Sequence, residues 1–299
     1  MLLALVTGTL ALASVQQMDT TVAVSRGQRL DVNAFGGEVT VRAWNRNGIR
    51  VEATTSNPDR VEVASSATAV SVRTQGRHGP PSEVKLRISA PSWVGVSLSG
   101  VNTSMKVEGV RAPISVETVE GEVDVTGGEG LVSLRSVQGS VTLRGARGRI
   151  NLNSVNEDVH VSGSAGDVVA QTVNGEIDLQ LTDASSVDAS TVNGDIHYSG
   201  PIRNGGRYSL STHNGDISLT VAEGTNASVA VSTFSGEFES EFPVPLRGTR
   251  QGKGFNFTLG SGSAQVTLES FQGTIELVRP GSERDRSRHD RDEDDDHDH

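Results

Sequence analysis

Acidic side chains recur in this sequence directly after an Asn-Gly pair. The clearest copies are residues 172–177 (TVNGEI), 191–196 (TVNGDI) and 212–217 (THNGDI). Carboxylates in a row could supply the oxygen ligands that calcium prefers. The nonapeptide calcium repeat G-G-x-G-x-D is missing from the sequence, which favours turns whose acids face water, so no cofactor is predicted and calcium is the minor alternative. The candidate oxygen ligands are Glu122, Asp158, Glu176, Asp195, Asp216 and Glu237.

Histidines could bind a metal or transfer protons. His160, His197 and His213 occur in the different contexts VHV, IHY and THN, which predicts no shared metal triad. The C-terminal segment also holds His289, His297 and His299 among carboxylates, a weak candidate site for a divalent metal. The alternative for this segment is a solubilising tail.

Catalytic carboxylates are not paired in any recognisable way. Glycoside hydrolysis needs two carboxyl groups on one face, whereas Asp124, Asp178 and Glu276 are spread singly along the chain. Because Ser and Asp are abundant, Ser-His-Asp combinations carry no information. The protein is therefore predicted not to be an enzyme, with a polysaccharide-active enzyme as the minor alternative.

The hexapeptide belongs to a repeat that spans much of the chain. Its fourth positions are separated by 18, 18, 18, 19, 21, 21 and 37 residues, and a degenerate copy at Thr103 lies 18 residues before the first. Such a period marks a repeat architecture. The fourth positions are Gly121, Gly139, Glu157, Gly175, Gly194, Gly215, Gly236 and Gly273.

Each unit contains two short runs with period-2 alternation, separated by turns rich in glycine. A propeller blade needs about 40 residues, and sandwich strands do not keep such a register. The sequence therefore predicts an all-β fold, a single-stranded parallel β-helix with coils of about 18–21 residues. The last gap of 37 residues indicates two coils with an insertion near Pro243.

The β-helix gives each position of the hexapeptide a predicted place. The asparagines before glycine, Asn174, Asn193 and Asn214, are expected at a corner that needs positive φ, and their side chains can bond along the stack. Thr172, Thr191 and Thr212 are expected to do the same with their hydroxyls. The valines at the second position are predicted to form an inward stack: Val119, Val137, Val155, Val173 and Val192.

The remaining segments suggest four regions. Residues 1–14 are apolar and end near A-x-A, which predicts a signal peptide although no basic residue follows Met1. Residues 17–98 form an antiparallel β cap, residues 99–278 the repeat domain, and residues 279–299 a disordered acidic and His-rich tail. The formal charge of −11, without a basic cluster, excludes a nucleic-acid partner.

The S/T-V-x-G-[DE]-[IV] units, preceded by LDVNAFGGEVTVRAW and KLRISAPSW, resemble a bacterial family of candidate adhesins of unknown function. The resemblance covers residues 22–278. It implies a β-helix that is exported or located at the cell envelope, and it implies no verified activity.

These observations predict an exported, non-enzymatic β-helix protein of the cell envelope that acts as a scaffold or a binding surface. Residues 132–135, 150–153 and 168–171 are expected to form a flat face for a protein or glycan partner. The alternatives are a periplasmic regulatory or sensing partner of an envelope-stress system and a carbohydrate-active enzyme. The partner, the choice between periplasm and cell surface, the true start codon and the oligomeric state are left open at this point.

Overall fold

The protein folds into short β-strands that are stacked into coils. The computed structural model describes residues 15–56, 60–75, 84–244, 247–248 and 254–282. The strands of the first part are β1 (Val15–Ala23), β2 (Arg29–Ala34), β3 (Gly37–Trp44), β4 (Gly48–Ser56), β5 (Arg60–Ser65), β6 (Ala69–Gln75), β7 (Val84–Pro91), β8 (Gly95–Gly100) and β9 (Thr103–Val110).

The central strands are shorter and follow one another at the repeat period. They are β10 (Ile114–Glu117), β11 (Val123–Gly127), β12 (Glu129–Arg135), β13 (Val141–Arg144), β14 (Arg147–Asn153), β15 (Val159–Gln171), β16 (Ile177–Asp183), β17 (Ser186–Asn193), β18 (Ile196–Ser199), β19 (Arg207–Asn214) and β20 (Ile217–Thr220). The last strands are β21 (Ala227–Thr233), β22 (Phe238–Ser240), β23 (Arg247–Gly248), β24 (Gly254–Leu259), β25 (Ala264–Gln272) and β26 (Ile275–Val278).

Alternation of apolar and polar residues selects the inner face of each strand. In β13, Val141 and Leu143 are buried, while Thr142 and Arg144 point outward. Because successive side chains of a strand point to opposite faces, one row fills the core and the next meets solvent. Valine, isoleucine and leucine suit this half-buried position because β-branched and aliphatic side chains pack well on a pleated surface.

Equivalent residues of successive coils lie directly beside one another. Ile114 pairs with Val132, Val132 with Ile150, and Ile150 with Val168, always in parallel and 18 residues apart. The later pairs, Val168 with Val187 and Val187 with Tyr208, are separated by 19 and 21 residues. The predicted all-β architecture of mostly parallel strands wound into a solenoid is thus confirmed.

The N-terminal end contains antiparallel pairs, as predicted, but also coils. Strand β4 pairs antiparallel with β1 and β7, and β5 pairs antiparallel with β6. Strand β2 lies in parallel between β6 and β8, and β3 between β7 and β9. Strand β8 spans positions on both sides of residue 98 and also pairs with β10. Parallel stacking therefore continues without interruption into the N-terminal part.

The order of the coils at the C-terminal end differs from their order in the sequence. Strand β25 lies between β19 and β21, and β26 lies between β20 and β22. The chain thus first forms the outer coil, turns back through the antiparallel β24, and then fills the space beneath that coil. The 37-residue gap in the repeat contains this reversal.

The core is a thin aliphatic stack with one aromatic pair in its central part. Tyr198 and Tyr208 are fully buried, with ring centroids 5.6 Å apart in an edge-to-face arrangement. The Tyr208 hydroxyl donates to the carbonyl of Ala184 at 2.7 Å and accepts from the Arg203 amide at 2.8 Å, which anchors the insertion that lengthens this coil. Burial raises the pKa of both tyrosines.

Two predicted segments and the tail histidines fall largely beyond the described part of the chain. Residues 1–14, predicted as a signal peptide, lie outside the described residues. The tail is described only to Ser282, so His289, His297 and His299 also lie outside.

Candidate functional site

Where glycine occupies the corner of a coil, the neighbouring coil requires it. A Cβ atom placed on Gly194 would overlap the carbonyl oxygen of Gly175, and one on Gly215 would overlap that of Gly194. Gly194 and Gly215 also have φ values of 153° and 156°. The same overlap occurs at Gly121, Gly139, Gly175, Gly236 and Gly273. Backbones can approach this closely only where no side chain intervenes.

The residue facing inward at the corner is serine or threonine, and the predicted inward valine stack is wrong. Val119, Val173 and Val192 are exposed by 45%, 40% and 42%, and Val137 and Val155 are half-buried. The preceding side chains are buried instead: Thr118, Ser136, Ser154, Thr172, Thr191 and Thr212. Their position next to each valine leaves the valines on the outer surface, because neighbouring strand residues face opposite ways.

Hydrogen bonding explains why a hydroxyl is buried here. Thr191 Oγ1 donates to the carbonyl of Gly175 at 3.1 Å, and Thr212 Oγ1 to that of Gly194 at 2.9 Å. The carbonyl of the corner glycine is thereby satisfied from inside the solenoid, where an unpaired acceptor would be costly. Ser136, Ser154 and Ser270 make the same bond to a corner glycine. Thr118 and Thr172 make it to the carbonyls of Thr103 and Glu157, which occupy the corner in their coils. The regular Ser or Thr before valine was the sequence signal for this arrangement.

Asparagine side chains form the predicted ladder along the corner. Asn174 Nδ2 donates to Asn156 Oδ1 at 3.1 Å, Asn193 Nδ2 to Asn174 Oδ1 at 2.8 Å, and Asn214 Nδ2 to Asn193 Oδ1 at 2.8 Å. No non-glycine residue in the described part of the chain has positive φ. The expectation that asparagine supplies positive φ is therefore wrong, and its role here is to bond between coils.

The acids at the fifth position of the hexapeptide bind backbone rather than facing only water. Asp158 Oδ1 accepts from the Glu176 amide at 2.6 Å, Asp195 Oδ1 from the Asp216 amide at 2.7 Å, and Asp216 Oδ1 from the Thr274 amide at 2.6 Å. Each half-buried carboxylate thus caps an N–H of the next coil. Across the residues that the structure describes, no three His, Asp or Glu side chains are placed to hold a metal ion.

The capping role predicts how Asp195 responds to substitution. Asp195→Asn keeps an oxygen acceptor for the Asp216 amide and should change the free energy of unfolding by less than about 1 kcal/mol. Asp195→Ala removes the acceptor and should cost about 1–2 kcal/mol. Urea denaturation of both variants checks this. Equal losses for the two variants would contradict the cap.

His160 and His197, for which the sequence predicted no shared site, lie in one column of equivalent strand positions in successive coils. His160 pairs with Asp178, Asp178 with His197, and His197 with Ser218. Asp178 is buried and accepts from Gln180 Nε2 at 2.9 Å, and His197 Nε2 lies 2.8 Å from Glu176 Oε1. His197 Nδ1 has no hydrogen-bond partner. A serine, histidine and aspartate are therefore neighbours, but the imidazole is engaged by Glu176 instead of being held between Asp178 and Ser218 as a nucleophile relay requires.

A concave cleft lies at the N-terminal end of the solenoid. It has a volume of about 790 Å³ and is lined by residues of four neighbouring strands in the order β5, β6, β2 and β8. Arg29 Nε binds Asp31 Oδ1 at 2.6 Å, and Asn33 Nδ2 donates to Ser99 Oγ at 3.2 Å. Its other polar lining residues include Glu62, Ser71, Arg73 and Ser97.

The strands that line the cleft continue into the strands for which the sequence predicts a flat face. Ser97 pairs with Ser115, and Ser115 with Ser133, so equivalent serines run along this face. The strands β12, β14 and the second half of β15, which carry residues 132–135, 150–153 and 168–171, lie side by side. The outward side chains are mainly hydroxyls and amides, which donate and accept hydrogen bonds.

An apolar ridge follows the corner on the outside of the solenoid. We define the ridge as the residues in the valine position of successive coils. Stacking continues from the valines onto His213, Phe271 and Phe234, with neighbouring ring centroids 4.6 and 4.7 Å apart. Phe35 occupies the same position beside Val101, because Ala34 pairs with Gly100 and Gly37 with Thr103. The ridge is Phe35, Val101, Val119, Val137, Val155, Val173, Val192, His213, Phe271 and Phe234.

Comparison with known families identifies this architecture. Residues 27–278 match the family model described as Toastrack DUF4097. The chain belongs to this family. The match covers both the cleft and the ridge, and it confirms the resemblance inferred from the repeat. No curated protein matches the chain.

Solved structures of low sequence identity are similar to this Toastrack DUF4097 chain. A candidate adhesin from Parabacteroides merdae is 11% identical, with 88% of this chain and 96% of that chain covered and a TM-score of 0.50. Candidate adhesins from Parabacteroides distasonis and Bacteroides fragilis are 8% and 15% identical. They cover 88% and 89% of this chain and 97% of each relative, with TM-scores of 0.44 and 0.42. The likeness concerns the fold alone.

The family match assigns no chemistry to the cleft, the histidine column or the ridge. Nothing in it describes an enzymatic activity for the Toastrack DUF4097 family. Within the described ranges, the chain has no helix of the length and apolarity needed to cross a membrane.

Proposed function

We infer that the protein is a non-catalytic scaffold of the cell envelope that binds a protein or glycan partner on its outer face. The observation that carries this proposal is the cleft, which opens onto a face of stacked serine and asparagine side chains. Concave sites with convergent polar groups are the usual places of ligand binding. Hydroxyls and amides in rows suit a partner that is itself rich in hydroxyl or peptide groups.

The acids of the cleft support a binding role over catalysis. Glycoside hydrolysis requires one of two carboxyl groups to be kept protonated as a general acid. Here Asp31 accepts from Arg29 at 2.6 Å, and Glu62 accepts from the Gln75 amide at 3.1 Å. Both carboxylates are thus engaged by neighbouring side chains instead of being open toward a substrate. The buried Asp178 lies elsewhere, on the other strand of its coil.

A bulky residue in the cleft should abolish binding. Ser97→Trp fills the cleft from an outward position, so the affinity for a captured partner should fall at least tenfold while the fold is kept. Binding is measured on a glycan array and by capture from a cell-envelope extract, and folding by circular dichroism. Capture that is unchanged in Ser97→Trp, or capture of neither glycan nor protein by the unaltered chain, would refute the proposal.

Ser133→Trp is the matched control for this experiment. Ser133 lies in the same column as Ser97, two coils further along and outside the cleft lining. The same substitution there should leave binding unchanged if the cleft is the site. Loss of binding in both variants would indicate that the whole face, not the cleft, holds the partner.

The envelope location is a separate part of the proposal. It is supported by the apolar residues 1–14 with an A-x-A sequence near their end. Fractionation of the native host should recover the protein in the periplasm, at the surface or in the medium. Recovery in the cytoplasm alone would overturn this part.

A further inference from the structure

The ridge exposes an apolar or aromatic side chain at most coils, while Phe35, Val137 and Val155 are half-buried. Val101, Val173 and Val192 are exposed by 43%, 40% and 42%, and Phe271 and Phe234 by 40% and 63%. Isolated apolar side chains on a surface need no explanation, but a continuous row along the whole solenoid marks an interaction surface. The inner positions of the same coils are already filled, so the ridge contributes little to the core.

The spacing of the ridge restricts what can pack against it. Successive ridge side chains are separated by the distance between neighbouring strands, about 4.8 Å. A surface that inserts side chains between them must have the same period, which another stack of β-strands has and an ordinary helix or loop does not. The chain itself carries such a stack.

The central coils of the ridge have the composition of a dry, self-complementary β interface, whereas Glu117, Glu120, Arg135 and Glu269 flank other coils. Asparagine ladders and stacked aromatics both occur where identical β-stacks pair face to face. The ladder here runs from Asn156 to Asn214, and the aromatic stack runs from His213 to Phe234. In the four coils from Val155 to His213 every position beside the ridge is neutral, although the chain is 21% charged. These positions are Asn153, Asn156, Gln171, Asn174, Ser190, Asn193, Ser211 and Asn214.

The area of the ridge is sufficient for a stable contact. From Phe35 to Phe234 the ridge crosses ten coils, a length of about 43 Å at about 4.8 Å per step. With the flanking column on each side it is about 14 Å wide and covers roughly 600 Å². Two such surfaces together reach about 1,200 Å², the lower limit of standard interfaces.

We propose that the ridge is the contact surface for a second copy of this chain, so that two solenoids pair ridge to ridge. The same patch is used by both copies, which closes the assembly at two subunits. The cleft borders the first two ridge positions, where Asn33 and Ser99 line it. Depletion of charge at the centre and aromatic residues at the end match the composition of interface cores. The proposal does not depend on the partner of the cleft.

The oligomeric state of the full chain tests the proposal. Sedimentation at about 100 µM should give a species of twice the 31.4 kDa of one chain. Val173→Asp combined with Val192→Asp places charges at the centre of the ridge, and the dimer should dissociate at least tenfold more readily. Ser133→Asp adds the same kind of charge on the flat face and should leave the dimer unchanged.

Cross-linking gives a second readout that does not rely on charged variants. The chain contains no cysteine, so a single introduced thiol reports its own position. Val173→Cys should yield a covalent dimer with a short bifunctional maleimide, whereas Ser133→Cys should not. If the charged variant fails to fold, this experiment still decides the question.

The outcomes that would overturn the proposal are distinct from failure of the cleft. A monomer at about 100 µM, a dimer insensitive to the ridge charges, or an absent Val173→Cys cross-link would each refute it. Capture of a glycan or another protein through the ridge of a monomeric chain would also refute it. Ser97→Trp should remain dimeric, and the ridge variants should retain partner binding, so the two surfaces are tested independently.

Discussion

Replacing Gly194 with alanine should lower the free energy of unfolding by about 3 kcal/mol or more. The added Cβ would overlap the carbonyl oxygen of Gly175 in the coil beneath, and φ at Gly194 is 153°, which L-residues rarely adopt. Because both neighbouring coils hold this backbone by hydrogen bonds, the corner cannot move away without breaking them. Chemical denaturation followed by circular dichroism measures the loss.

Substitutions at two other glycines distinguish the cost of the steric overlap from the cost of positive φ. Gly175→Ala introduces a similar overlap, with the Glu157 carbonyl, at a residue whose φ is not positive. Gly224→Ala places an alanine at a position whose φ is 81°, and its Cβ atom would meet nothing within 4 Å. We expect a large loss at Gly175 and about 1–2 kcal/mol at Gly224. A loss at Gly194 no larger than that at Gly224 would show that the coils are not in such close contact.

Thr191→Asp should destabilise the protein by about 3–5 kcal/mol, whereas Val192→Asp should cost less than about 1 kcal/mol. Thr191 is buried and donates to the Gly175 carbonyl, so a carboxylate there loses the donor and places a charge against an acceptor. Val192 is 42% exposed, and its aspartate can reach water. Urea denaturation at low protein concentration compares the two.

Thr191→Ser is the matched control because it keeps the hydroxyl. Its loss should stay near 1 kcal/mol, the contribution of one buried methyl group. If Val192→Asp lowered the free energy of unfolding more than Thr191→Asp, the valines would face inward as the sequence predicted. The ridge would then not lie on the outer surface. This result would therefore refute the dimer proposal as well.

The repeat could be predicted from the sequence because the turns and strands of each coil depend on residues that are close together in the chain. Glycine at a fixed interval of 18–21 residues, between alternating runs, specifies turns and short strands without reference to distant residues. The asparagine ladder also followed, since equal spacing places Asn174 beside Asn193 in any parallel stack. The family match and the mostly parallel solenoid agree with this interpretation.

The orientation of the corner was not readable in the same way. Val173 and Thr172 are neighbours, so one must face inward and the other outward, and hydrophobicity alone favours valine. The hydroxyl prevails because the corner carbonyl needs a donor inside the solenoid, a requirement that becomes visible only when the coils are stacked. The column of His160, Asp178 and His197 was also not predicted, because it too depends on how the coils are stacked.

By itself, the sequence determined the coil period, the strand content and the places where the chain turns, because these depend on residues close together in the chain. The tertiary structure decided the rest. It placed β2 between β6 and β8, inserted β25 beneath β21, and turned the column of valines and phenylalanines outward. These arrangements join residues that are far apart in the chain, and only the packing of whole coils, with their backbone hydrogen bonds satisfied at both ends, selects among them.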